Sequence, residues 1–139
     1  MIPQSESPWR RAGRKEWLPL LLIILIGGGL RLYHLGVPSL WFDEAASARI
    51  SGLGWQGALS YAGTEPFEHP PLYYLLLHLW EQVAGNSAFA LRFQSVWWGV
   101  LFVPLLYRLV RRLAGEQLGL LAALLATISP FLVAYSQEA

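Results

Sequence analysis

Long apolar runs separated by polar, sharply punctuated segments set the frame of this chain. Residues 118–135 run for eighteen positions without a charge, long enough for a helix to cross the hydrocarbon core of a bilayer. We therefore expect a membrane helix over about 117–135. A second is expected over about 88–110, with Arg92 near one end, Arg108 at the other and Pro104 as a kink that packed membrane helices tolerate. A third, first in the chain, is expected over about 17–37. Pro19 falls in its first turn, where a missing N–H costs nothing, and Gly27, Gly28 and Gly29 would allow close helix approach in lipid. Arg31, near its far end, has three readings: snorkelling to the interface, structural pairing, or meeting an anionic ligand in a polar cavity.

Between the first two spans lies a loop over 38–87. Its segment 71–84 is apolar but only fourteen residues long, short for a span. A proline pair starts it, Gly85-Asn86 stops it, and its Tyr and Trp content suits the headgroup level. It is expected to lie along the interface, as is a short helix continuing from Asp43 through residues 45–50. The predicted fold is thus an all-α membrane protein with three transmembrane helices and two short interfacial helices in the first external loop. Residues 1–16, polar and basic with three helix-disfavouring Pro and Gly positions, are expected to be a disordered tail. The signal-peptide alternative is disfavoured because no small-residue cleavage site follows the apolar run.

Composition agrees with lipid as the solvent. Of 139 residues, 55% are hydrophobic and 14% charged, against about 25% charged in soluble domains, and mean hydropathy is +0.40. A net charge of +1 gives no reason to expect a nucleic-acid partner, and the absence of cysteine excludes disulfides and thiolate metal sites. The placement of charge is more informative. Arg10, Arg11, Arg14 and Lys15 precede the first span, and Arg108, Arg111 and Arg112 sit at the end of the second, while the loop between them carries Arg49 alone. By the positive-inside rule the N-terminus is cytoplasmic and the loop external, as in an integral, multi-pass protein of the plasma (inner) membrane.

That loop gathers five acids, Asp43, Glu44, Glu65, Glu68 and Glu81. Asp43-Glu44 follows Leu40-Trp41-Phe42 directly after the first membrane exit, beside any docked lipid headgroup; helix capping by Asp43 is the plainer explanation and is compatible with function. Glu68-His69-Pro70-Pro71 sets a carboxylate next to an imidazole. These two could ligate a divalent metal or position a substrate, although two ligands do not make a site and a structural turn is equally open. Ser136-Gln137-Glu138 closes the third span, and topology returns it to the same face.

Taken in order, Trp41-Phe42-Asp43-Glu44, Glu68-His69-Pro70-Pro71-Leu72-Tyr73-Tyr74, Gly85-Asn86-Ser87-Ala88 with Leu91-Arg92, Gly115 to Gly119, and Ser129-Pro130-Phe131 with Tyr135-Ser136-Gln137-Glu138-Ala139 resemble the polytopic GT-C type glycosyltransferases. Within these the chain looks like the protein O-mannosyltransferase-like family, which includes the bacterial aminoarabinose transferases. The resemblance implies a polyprenyl-phosphate sugar donor used at the outer face and a catalytic base at Asp43, with Glu44 as the second acid of the pair. It also implies a metal site to which Glu68 and His69 contribute. The family's remaining helices and later donor-binding loops have no counterpart here, nor does the Arg that usually follows Gln-Glu-Ala, so the chain is expected to be an N-terminal fragment, inactive alone.

In such a transfer an acceptor hydroxyl or amine attacks the anomeric carbon and the lipid phosphate leaves. A carboxylate near the nucleophile takes its proton, worth about 10²–10⁴-fold, and cations stabilise the phosphate. Arg31, Arg92, His69 and Glu138 are the candidate substrate-binding residues. Two other classes compete. A transporter segment would place ionisable residues at mid-membrane, whereas the acids here collect outside; a non-enzymatic scaffold would show no dependence on Asp43 or Glu68. The sugar and acceptor are not legible.

Overall fold

A computed structural model describes residues 17–64 and 70–138, and within these the chain is entirely helical. The helices are α1 (Trp17–Leu32), α2 (Phe42–Ser51), α3 (Gly54–Thr64), α4 (Pro71–Ala84), α5 (Ala88–Ala114), α6 (Glu116–Ile128) and α7 (Pro130–Tyr135). The basic tail over 1–16 and the Glu68-His69 pair lie outside the described residues.

Helix α5 is the one helix among the described residues that is both long and apolar enough to cross a membrane; α1 and α6 are apolar but shorter. Its 27 residues span about 40 Å, more than the roughly 30 Å of a hydrocarbon core. Ser87 starts it, accepting the Ala90 N–H. Gly115 stops it at a φ of 93°, a left-handed value that glycine adopts without cost. It therefore runs four residues past the expected end, to Ala114.

Three expectations need correction. Helix α1 ends at Leu32 rather than near residue 37, because His34 takes a left-handed φ of 59° and the chain closes into turns, Leu35 N–H to the Leu32 carbonyl and Val37 N–H to that of His34. The segment between α1 and α5, expected to carry two short helices, holds three among the described residues. The unforeseen α3, Gly-Trp-Gln-Gly-Ala-Leu-Ser-Tyr-Ala-Gly-Thr, is rich in residues of weak helix propensity and is held by packing against α2 and α4. The third apolar run is broken into α6 and α7 at Ser129-Pro130. Pro130 offers no N–H to the Ala126 carbonyl four residues earlier, while the Ser129 hydroxyl accepts the Leu132 N–H to restart the helix.

Two packed layers result. Helices α1, α5 and α6 meet around Leu20, Val103, Tyr107 and Ala123, with Ile23, Ile24 and Leu120 against them. A Cβ on Gly27 would lie 3.3 Å from the Thr127 methyl carbon on α6, whereas one on Gly28 or Gly29 would meet nothing within 4 Å; of the three glycines only the first serves close approach here. Helices α2, α3 and α4 pack around Ile50, Ala58 and Tyr74, and α4 joins this layer to α5. Large apolar side chains along α1, such as Leu21, Leu25 and Ile26, face outward, as expected of a surface solvated by lipid.

Candidate functional site

The linker over 33–41, the first turns of α2 and α5, and the segment following α7 meet at one end of the helical bundle. Two buried networks hold them there. In the first, Arg92 and Glu44, each 3% exposed, form a two-pronged ion pair. Arg92 Nε donates to Glu44 Oε1 at 2.8 Å and Nη2 to Oε2 at 2.6 Å. The guanidinium's other N–H groups reach the carbonyls of Leu35 (2.9 Å), Pro38 (2.9 Å) and Ser39 (3.0 Å). Its five donors are all engaged. Glu44 also accepts the Trp41 N–H at 3.0 Å, the back-reaching half of a capping box that begins α2. An arginine on α5 thereby fixes both the linker and the helix that carries Asp43.

In the second network Arg31 is fully buried, which favours structural pairing among its three readings. Its Nη2 donates to the Ala126 carbonyl at 3.3 Å, and Nη1 to those of Thr127 at 3.4 Å and Gly27 at 3.1 Å. The acceptors on α6 are at the end that Pro130 interrupts, so the guanidinium replaces donors the break removes. Arg31 Nε also donates to Ser136 Oγ at 3.2 Å, and that hydroxyl donates to the Leu132 carbonyl. Next along, the Gln137 amide shares its Nε2 protons among the carbonyls of Leu30 (3.3 Å), Arg31 (3.1 Å) and Tyr33 (2.9 Å), the last turn of α1 and its exit. The chain after α7 is thus tied to the end of α1.

These ties leave a cavity of about 180 Å³, lined by His34, Leu35, Pro38, Trp41, Arg92, Ala134, Gln137 and Glu138. Of the sequence-predicted residues, Arg92 and Glu138 line it together and Glu44 stands behind Arg92. Asp43 is exposed in the first turn of α2, two positions from the cavity-lining Trp41. Arg31 is not among the lining residues. No three His, Asp or Glu side chains gather into a metal-holding group among the described residues. Sequence reasoning passed over His34, whose signal was its place just beyond the first helix, where a left-handed residue ends many helices.

Helix α4 braces α2 from the other side. Ser51 Oγ donates to Glu81 Oε1 at 2.9 Å. The phenol of Tyr73 is pushed above its ordinary value, first by burial and further by Tyr74 and Glu44, with a Ser47 hydrogen bond acting the other way. A larger cavity of about 500 Å³ lies between α4 and α5, lined by Leu76, Leu79, Trp80, Gln94, Trp97, Trp98 and Leu101. It holds no titratable group, so the smaller cavity is the one equipped for chemistry.

Comparison with known proteins gives one family. The model of the family described as dolichyl-phosphate-mannose-protein mannosyltransferase matches residues 68–139, just over half of the chain. The match takes in α4 to α7, and so Arg92, Gln137 and Glu138; the Trp41-Phe42-Asp43-Glu44 stretch precedes it. No curated protein matches the chain, and no solved structure does.

Proposed function

Because the chain belongs to the dolichyl-phosphate-mannose-protein mannosyltransferase family, we propose that it serves a membrane glycosyltransferase activity that moves a sugar from a polyprenyl-phosphate donor to an acceptor at the outer membrane face. Membership supports the enzyme class and the lipid-linked donor. The finer assignments rest on the chemistry of the cavity and its rim. The single observation that carries them is the Arg92–Glu44 clamp, which ties a residue of the matched segment to the helix bearing Asp43.

Asp43 is the proposed base. It is the exposed member of the acid pair, while its neighbour Glu44 is held by Arg92 and Trp41. As the acceptor's oxygen or nitrogen attacks the anomeric carbon, the bond to the donor phosphate breaks and the nucleophile's proton passes to the Asp43 carboxylate. Placing this carboxylate within about 3 Å of the nucleophile contributes about 10²–10⁴-fold. Glu138, on the cavity wall, accepts hydrogen bonds from sugar hydroxyls. Arg92 sets the positive side of the site without donating to the substrate, since its N–H groups are spent within the protein. Glu68 and His69 remain the proposed ligands of a divalent cation, which would neutralise the leaving phosphate. We place the N-terminus in the cytoplasm, with α2 to α4 along the outer interface and α6 with α7 returning to that side.

The test is sugar transfer in membranes carrying the full-length protein, across a panel of polyprenyl-phosphate sugars, with Asp43→Asn as the comparison. Wild-type transfer that falls at least about a hundredfold in the variant, with insertion unchanged, is the expected result. Undiminished transfer by Asp43→Asn would remove Asp43 as the base.

A further inference from the structure

The cavity beside Arg92 contains a group that the proposed reaction has not yet used. Polar side-chain groups on its wall come from Arg92, Gln137, Glu138, His34 and, through its indole N–H, Trp41. Every N–H of Arg92 is engaged by Glu44 and three backbone carbonyls, and the Gln137 amide protons are shared among three carbonyls of α1 and its exit. Glu138 offers acceptors only when ionised. Two side-chain N–H sources remain, the indole of Trp41 and the imidazole of His34; the His34 ring packs edge-on against Tyr33 with centroids 4.3 Å apart and makes no hydrogen bond among the described residues. An anion entering this cavity finds a donor in His34.

The backbone at His34 points the same way. It is the one non-glycine residue with positive φ among the described residues, at 59°. A Cβ in the left-handed region is disfavoured, and glycine would end the helix at lower cost. Keeping an imidazole there exchanges some stability for a side chain at the cavity wall, and strain of this kind gathers at ligand sites.

We propose that His34 is a substrate-contacting residue whose imidazole N–H binds a phosphate oxygen of the lipid-linked donor. The inference rests on the glycosyltransferase reading above and adds to it the group that holds the donor's phosphate. A cavity of about 180 Å³ suits a phosphate and part of its sugar, and leaves the prenyl chain outside, in lipid. Once the phosphate is seated, its oxygen lies against His34, and Glu138, also on the cavity wall, remains for the sugar.

Binding of farnesyl phosphate to the purified full-length protein in detergent micelles tests this, with farnesol and inorganic phosphate as comparison probes. Wild type should bind farnesyl phosphate more tightly than either. His34→Gly should bind it roughly ten- to a hundredfold more weakly, the loss of one hydrogen bond to a charged group, while unfolding at the same temperature or higher because glycine accepts the left-handed backbone. His34→Gln, which keeps an N–H donor, should recover part of the affinity. Equal affinity in wild type and His34→Gly overturns the assignment and leaves the donor class standing. Weakened binding with a lowered unfolding temperature in His34→Gly assigns His34 a structural role instead. Inorganic phosphate binding as tightly as farnesyl phosphate replaces the lipid-linked ligand with free phosphate. A wild type that does not distinguish farnesyl phosphate from farnesol overturns both this inference and the phosphate part of the functional reading.

Discussion

Severing the Arg92–Glu44 pair should be among the most damaging single changes near the site, and the geometry says by how much. Both side chains are 3% exposed, so solvent does little to screen a charge left behind. Removing one partner of such a pair costs about 3–5 kcal/mol, because the survivor stays buried and uncompensated. Arg92→Met also strands the carbonyls of Leu35, Pro38 and Ser39, at about 1 kcal/mol each. Glu44→Leu strands the Trp41 N–H and the arginine. In the double variant neither charge remains, and the three carbonyls dominate at about 3 kcal/mol, so the effects should be far from additive. The assay is a double-mutant cycle on reversible unfolding of the full-length protein in mixed micelles. The carbonyl costs recur in the double variant and cancel, so the two stranded charges, about 3–5 kcal/mol each, set a coupling energy of at least about 6 kcal/mol, against the roughly 0.5 kcal/mol or less of independent sites. A coupling within the range of independent sites would mean that the clamp contributes no specific stability, and the account of how α2 is held would be wrong.

Other consequences are as direct. In Gly99→Ala the new Cβ would lie 3.0 Å from Arg31 Nε and closer still to Ser136, so unfolding in micelles should show a loss of about 1–3 kcal/mol from overpacking; an unchanged stability would show that the α1, α5 and α7 junction is looser than described. Gln137→Ala leaves the carbonyls at the end of α1 without their shared donor, and amide exchange over residues 133–137 should quicken; unchanged exchange would assign the anchoring of that segment to Arg31 alone. If Glu68 and His69 hold a cation that the reaction needs, EDTA should stop sugar transfer and manganese or magnesium restore it, with Glu68→Ala inactive under both conditions. Full transfer in EDTA would take the metal out of the proposal.

The apolar runs made the bundle legible: a charge-free stretch of membrane length can hardly be anything but helix, and the start of α5 falls where expected, at Ala88, although its end lies four residues past the expected one, at Ala114. What stayed hidden depended on contacts between distant segments. Helix α3 shows no strong periodicity because Gly54, Gly57, Ser60 and Gly63 dilute it, and it forms against α2 and α4. The break at Pro130 was visible as a residue but not as a break, since membrane helices often continue through proline; it becomes one because Arg31, about a hundred positions earlier, supplies donors to the freed carbonyls. For the site, the acids and arginines could be read as a set. Their division into partners could not, because Glu44 and Arg92 are 48 residues apart and nothing local announces the pairing.

That division separates charges that build the site from charges left to act in it. Burying an ionised group where lipid and packed helices exclude water is expensive unless its hydrogen-bonding capacity is met, and Arg31, Arg92 and Glu44 meet theirs inside the protein. An arginine so engaged makes a poor direct ligand for a phosphate: each new bond to substrate would break one already formed, and the binding energy would be lost in the exchange. A group retaining unfilled capacity at a cavity wall has no such debt. By this criterion Glu138 and His34 within the cavity, and the exposed Asp43 at the start of α2, are better placed for substrate chemistry than either arginine. A reading of the sequence by charge alone would have ranked them the other way.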